Sequence, residues 1–169
     1  MAITITITTG TIDDVTAVSE YIPELLTAID SDTLRNRLEN KKTLILVAHK
    51  EDTLVGFKIG YELSNTQFYS WLGGVHFNYR RLGVAKKLLV QQEKWAYEQG
   101  FTNIHVKSMN QFPQMLTMLI TNGYHVCGYF DKQRTELSKI KFVKQLTKLM
   151  QALHSSLFNL APCRVISKS

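Results

Sequence analysis

The sequence predicts an α+β domain built on a central mixed, mostly antiparallel sheet flanked by helices, and three observations carry that expectation. Ile3, Ile5 and Ile7 alternate with Thr4, Thr6 and Thr8, the period of a β-branched strand with one buried face. The runs TLILVA, LVGFKIGYEL and FYSWLGGVHF are separated only by the polar turns KEDT and SNTQ, which reads as an antiparallel meander. Beyond the meander a helical stretch leads to a further strand, TNIHVKS, so one strand-helix-strand passage requires a parallel pair.

The elements follow in order. After the first strand, Thr11 with Asp13 and Asp14 marks a helix start, the carboxylates being favoured by the helix dipole. Val15, Val18 and Ile22 are its inward residues, and Pro23 interrupts it. A second helix carries Leu34 and Leu38, with Ser31 or Asp32 as its cap. The three meander strands come next. Val84, Leu88 and Trp95, with Leu89 and Ala96 beside them, then form a helical stripe that Gly100 ends. Phe112 to Thr121 suits a helix with Pro113 in its first turn, Asn122-Gly123 closing it, and Met115, Met118 and Leu119 inside. YHVCGYF and KIKFVKQL make a closing antiparallel pair.

At 169 residues the chain fits one continuous core and is short for two. The expected division is a domain over residues 1–145 and an extension over 146–169, where Leu146, Leu149, Met150, Leu153 and Leu157 follow helical spacing. Lys144 and Lys148 give that end some attraction for an acidic partner. A charged fraction of 20% with 44% hydrophobic residues excludes a disordered chain. Two cysteines, Cys127 and Cys163, without a CxxC pair indicate neither a disulfide scaffold nor a zinc site, so no metal is expected. The N-terminus lacks the pattern of a signal peptide and no run is long enough to span a bilayer, which together suggest a cytoplasmic protein without membrane contact.

The net charge of +6 favours an anionic partner, and the cations concentrate in NYRRLGVAKKLL, residues 78–89. A strand runs into this stretch and a helix leaves it, so the N–H groups at the helix start have no intrahelical partner and suit an anion. Gly83 and Ala85 permit close approach to the backbone, while Arg80, Arg81, Lys86 and Lys87 surround it with charge. A solvated helix face would more naturally place its cations at the other end, where the dipole attracts them.

Arg80-Arg81-Leu82-Gly83-Val84-Ala85 resembles the Gln/Arg-x-x-Gly-x-Gly/Ala motif with which the GCN5-related N-acetyltransferase superfamily binds acetyl-CoA. Val75 on the preceding strand, Tyr79, Leu88, Leu89 and the Asn122-Gly123-Tyr124 ending extend the resemblance, as does the element order over about the first 145 residues. The resemblance implies an acyl-CoA N-acyltransferase fold with one parallel strand pair splayed apart, and acetyl-CoA as cosubstrate. It implies an N-acetyltransferase that moves the acetyl group directly to a primary amine in a ternary complex. Backbone amides from Arg81 to Lys86, including Leu82, Gly83, Val84 and Ala85, would hold the pyrophosphate. Gly73, Gly74 and Val75 would pair with the pantetheine arm, and Asn110 would contact it, with Ser108 the weaker candidate.

Two successive glycines equally suit a β-bulge. The family often uses a tyrosine as general acid, but that position here is Leu119. Glu62 is one candidate base, the alternative being an exposed strand end. His105, where some relatives carry a catalytic glutamate, is the other, against a half-buried strand histidine. Tyr69 and Trp71 share a strand face and form either an acceptor wall or core packing. The absent tyrosine keeps open a non-catalytic acyl-CoA-binding domain of the same fold. Nucleic-acid binding would need several spread phosphate contacts, which one basic helix start does not supply. The acceptor is not readable, and a homodimer through a strand edge or the terminal helix is compatible with the pattern.

Overall fold

The structure, a computed structural model, describes residues 4–26 and 29–148. Strand β1 (Ile5–Thr9) leads to helix α1 (Ile12–Ser19), a 3-10 turn at Pro23–Leu25 and helix α2 (Ser31–Leu38). The meander is β2 (Thr43–Lys50), β3 (Thr53–Ser64) and β4 (Gln67–Val75), followed by helix α3 (Val84–Glu98) and strand β5 (Asn103–Met109). Helix α4 (Pro113–Thr121) precedes β6 (His125–Phe130) and β7 (Lys139–Gln145). The strands form one sheet in the order β1-β2-β3-β4-β5-β7-β6, antiparallel except for β4 with β5.

Local chemistry explains the helix ends. The Thr11 hydroxyl accepts from the Asp14 N–H and the Asp14 carboxylate accepts from the Thr11 N–H, a reciprocal box that stabilises α1 by about 1 kcal/mol. Pro23 sits in the first turn of the 3-10 segment, so Ile22 is buried just beyond α1 rather than within it. Asp30, not Ser31 or Asp32, caps α2: its carboxylate accepts from the Thr33 N–H, since a cap must precede the first helical residue. Pro113 begins α4, and Gly123 leaves it at φ 83°.

Two cores lie on opposite faces of the sheet. Val15, Val18, Leu34 and Leu38 of α1 and α2 pack on Val47, Phe57, Ile59 and Tyr61. On the other face Val84, Leu88, Leu89 and Ala96 of α3, with Leu119 of α4, pack on Leu46, Phe68, Ile104, Val106 and Phe142. Each fully buried side chain of this size contributes about 1.5–3 kcal/mol.

The α3-side core also encloses an ion pair. Lys144 Nζ lies 2.7 Å from Glu93 Oε2, and the Tyr124 hydroxyl donates to Glu93 Oε1 at 2.9 Å. Lys144 is therefore unavailable to an acidic partner: β7 turns it inward beneath α3, where it is 2% exposed. Leu146 also enters this core, and its N–H donates to the Thr102 carbonyl, one residue beyond the expected end of the domain. The rest of the expected terminal helix lies outside the described residues.

Candidate functional site

The parallel pairing of β4 with β5 runs only from Gln67–Ser70 against Asn103–Val106. Beyond Ser70, β4 continues to Val75 bonded, among the described residues, to β3 alone, so its other edge carries main-chain groups without a strand partner there. The cause is visible in the register: Ile59 faces Leu72 and Gly60 faces Ser70, leaving Trp71 as the extra residue of a bulge. The bulge falls at Trp71 and not at the glycine pair, because Gly73 and Gly74 stay in register with Lys58 and Phe57.

The glycines serve two neighbours. A side chain at Gly74 would come within 2.7 Å of Ile22, so its absence lets the Tyr21–Leu25 segment lie on the strand. Gly73 is exposed on the unpaired stretch, with the Lys58 stem beside it. Val75 ends the strand half-buried.

From Val75 the chain passes the 3-10 turn Phe77–Tyr79 into the basic turn. Arg81 and Gly83 both adopt left-handed backbone, at φ 63° and 76°. Such residues gather N–H groups around one concavity. Among the described residues no side chain caps α3 at Gly83, and none comes within 4 Å of the space that a side chain there would fill. Leu82 is exposed, Val84 is buried under the sheet, Ala85 is half-buried and Lys86 points to solvent. The helix start is thus pinned by Val84 while its backbone donors face outward.

The structure gives Arg80 a different duty from Arg81 and Lys86. Its guanidinium forms a two-pronged pair with Glu24, at 2.9 and 2.6 Å, and Nε donates to the Val75 carbonyl. The hydrogen bonds from the Arg80 guanidinium hold the Glu24 carboxyl below its usual pKa range. The side chain therefore shapes the turn. Asn110 Nδ2 donates to the Thr135 carbonyl beyond β5, and Ser108 is buried on the α3 side.

His105 and Tyr69 are register partners one residue before the strands part, so they share the α1–α2 face of the sheet. Tyr69 packs edge-on to Tyr61, 5.5 Å between ring centres, and Trp71 meets the same Tyr61 at 5.8 Å. Arg37 of α2 lies over both Tyr61 and Trp71. Both imidazole nitrogens of His105 are buried and have no hydrogen-bond partner among the described residues. Burial, then the Lys141 charge, lowers the His105 pKa, so the ring is neutral near pH 7. Burial raises the Tyr69 pKa and keeps the phenol protonated.

Glu62 follows Tyr61 on β3 but shares the Phe68 face of the sheet rather than theirs. It is the partner of Phe68 toward the hairpin end of β3, and its Oε1 accepts the Lys42 N–H at 2.9 Å. Leu119, where an acid would be expected, is fully buried.

Sequence reasoning missed Lys58, Gln92 and Glu93, all buried on the α3 side. A signal existed for two of them. Gln92 continues the spacing of Val84, Leu88 and Ala96, and Glu93 follows Leu89 by four residues, so both fall on the stripe that faces the sheet.

A sheet opened between two parallel strands, with an uncapped helix start at the mouth of the opening, is the frame of an acyltransferase. The chain belongs to the acetyltransferase (GNAT) family, whose family model matches residues 15–114. Solved structures share the fold. Ard1 from Thermoplasma volcanium superposes with a TM-score of 0.72 at 16% identity, covering 88% of this chain and 100% of its own. A GNAT family acetyltransferase from Elizabethkingia anophelis with acetyl-CoA bound gives 0.66 at 14% identity, covering 84% and 98%. The structure of yncA from Salmonella typhimurium with its cofactor acetyl-CoA gives 0.66 at 16%, covering 95% and 99%. No curated protein matches the chain in sequence. Among the described residues no group of His, Cys, Asp and Glu side chains could hold a metal ion, and no helix is long and apolar enough to cross a membrane.

Proposed function

We propose that the chain is an acetyl-CoA-dependent N-acetyltransferase that moves the acetyl group directly to a primary amine. The observation that carries this reading is the continuity of two features: the unpaired edge of β4 from Trp71 to Val75 leads straight to the uncapped start of α3. A pyrophosphate at the N–H groups of Arg81 to Lys86 would leave the pantetheine arm beside Gly73, Gly74 and Val75, reaching toward the bulge. Four residues of strand span roughly 13 Å, a length suited to that arm. Two acetyl-CoA-bound neighbours of the same fold support the choice of cosubstrate.

The acceptor amine enters from the α1–α2 face, where Tyr69 and Trp71 form its wall. His105 takes the amine proton: its ring is neutral and its nitrogens have no competing partner among the described residues. Glu62, whose Oε1 accepts the Lys42 N–H, is the second candidate for that proton. Asn110, already donating to Thr135, sits beyond β5 as a contact for the arm.

The test is a melting curve with and without CoA, followed by thiol release with a panel of amines. Ligand at 100 times Kd adds about 2.7 kcal/mol, which for a chain of this size is a rise of roughly 5–10 °C. Gly83→Val removes that rise, because a side chain enters the concavity and the left-handed backbone resists it. CoA binding without thiol release above hydrolysis would favour the non-catalytic reading, which the buried Leu119 motivates. Absence of CoA binding would overturn the proposal.

A further inference from the structure

Lys58 is the most unusual charged residue in the described chain. It sits in the middle of β3, partnered by Leu46 on one side and Gly73 on the other, and is 6% exposed. Leu46 belongs to the α3-side core, so Lys58 points toward α3 and away from Phe57 and Ile59. Its stem runs beside the position that a side chain on Gly73 would take, 3.4 Å from Cγ, and Gly73 lies on the unpaired stretch of β4. No hydrogen bond or ion pair to its ammonium is found among the described residues. The residue is nearly buried, and an ammonium drawn this far from water with no ion-pair partner is costly; native structures retain one where something else completes the site.

Its surroundings point the same way. Glu93 is already committed to Lys144 and Tyr124, so Lys58 and Lys144 together set two positive charges against one carboxylate. On the same side of the sheet Ser70 Oγ and both polar atoms of the Gln92 side chain are buried without partners among the described residues. Ser70 is the last residue of β4 that pairs with β5. An excess positive charge and three unpartnered polar atoms therefore share the α3 side of the sheet, with Ser70 at the point where the strands begin to part. Burial lowers the Lys58 pKa to about 8, partly offset by the Glu93 charge, which suits an acid exchanging a proton with a thiol.

We infer that Lys58 is the catalytic acid that protonates the departing CoA thiolate, the duty left open at Leu119. The inference rests on the acetyltransferase reading above. As the acceptor nitrogen bonds to the acetyl carbon, the carbon–sulfur bond breaks and its electron pair stays on sulfur. A Lys58 N–H bond then breaks, the proton passes to sulfur, and free CoA thiol results. His105 has meanwhile accepted the proton lost by the amine. Release of that proton to water, and uptake of one by the neutral Lys58 amine, restores the starting charges, so no further reactant is needed.

The groups facing Lys58 fix how pH acts on it: Glu93 from α3, Lys144 from β7 and Tyr124 after α4. Tyr124 stays protonated well above its ordinary range, through burial and the Glu93 charge, so Lys58 is the group that titrates near pH 8.

The experiment compares wild type with Lys58→Met, Lys58→Gln and Tyr69→Phe, measuring CoA affinity by calorimetry, melting temperature, and kcat from pH 6 to 10. Wild type is expected to show an alkaline fall in kcat centred near pH 8. Lys58→Met is expected to bind CoA within about threefold of wild type, to melt no lower at pH 7, and to lose kcat by about 100-fold or more together with the alkaline limb. Lys58→Gln provides the same comparison should the methionine variant not fold. Wild-type kcat in the Lys58 variants, a flat wild-type profile above pH 7, or an alkaline limb that vanishes in Tyr69→Phe instead, would each overturn the proposal while the acetyltransferase reading stands. Failure of wild type to bind CoA would overturn both.

Discussion

His105 and Lys58 stand on opposite faces of the sheet, and their displaced pKa values carry opposite implications for catalysis but the same sign for stability. For His105 the folded state resists protonation. Below its ordinary pKa of 6.5 the unfolded chain therefore binds the extra proton first, and stability falls as the medium is acidified through that value. For Lys58 the unfolded side chain remains protonated from about pH 8 to 10.5 while the folded one has released its proton. Stability accordingly rises across that window, by an amount on the order of 3 kcal/mol, until ionisation of Tyr124 in the unfolded chain above pH 10 opposes it. Urea titrations at pH 7, 8, 9 and 10 are expected to show the rise in wild type and its loss in Lys58→Met. His105→Ala is expected to lower kcat by about 100-fold or more with the KM for acetyl-CoA little changed, checked by steady-state kinetics.

Helix α3 bears the heaviest load among the elements, since its start faces the turn at Gly83 and its middle holds Glu93 against Lys144. Removing one member of a buried pair typically costs about 3–5 kcal/mol, yet the two members are not equivalent here. Lys144→Met leaves Glu93 with Lys58 still nearby, whereas Glu93→Gln leaves two buried lysines facing an amide. Denaturant unfolding is therefore expected to show the larger loss for Glu93→Gln. The strand β4 makes a complementary point. Its glycines equally suit a bulge in sequence, but the bulge is at Trp71, beside the pair Gly60–Ser70, where the missing side chain of Gly60 leaves room for the Phe68 ring.

At the scale of the molecule, the sheet and its helices were legible because alternation at Ile3–Thr8, the Thr11 cap, the Val84 stripe and the Gly123 ending are local signals. The placement of β7 between β5 and β6 was not, because strand order depends on which surfaces remain to be covered after the local elements have formed. The anion cradle expected at the basic turn follows from neighbouring residues. The partnership of Arg80 with Glu24 leaves no such local signal, for 56 positions separate them. The same limit hid the polar cluster around Lys58, whose members come from β3, β4, α3 and β7. A chain ending after Lys148 keeps β7 and the Leu146 anchor, and is expected to fold and bind CoA like the full chain, checked by melting curves on both.

The Tyr21–Leu25 segment is fastened to the far side of the basic turn at several points. Tyr21 stacks on His76 and its carbonyl accepts the Phe77 N–H, Ile22 lies over Gly74, and Glu24 grips Arg80. This segment follows the helix that covers one face of the sheet, while the turn it grips opens toward the other. Whatever displaces Arg80 from Glu24 would loosen the first helical connection as well. On the proposed function this clasp would couple the turn to the acceptor side, and ordered binding, cosubstrate first, is the kinetic pattern expected of it.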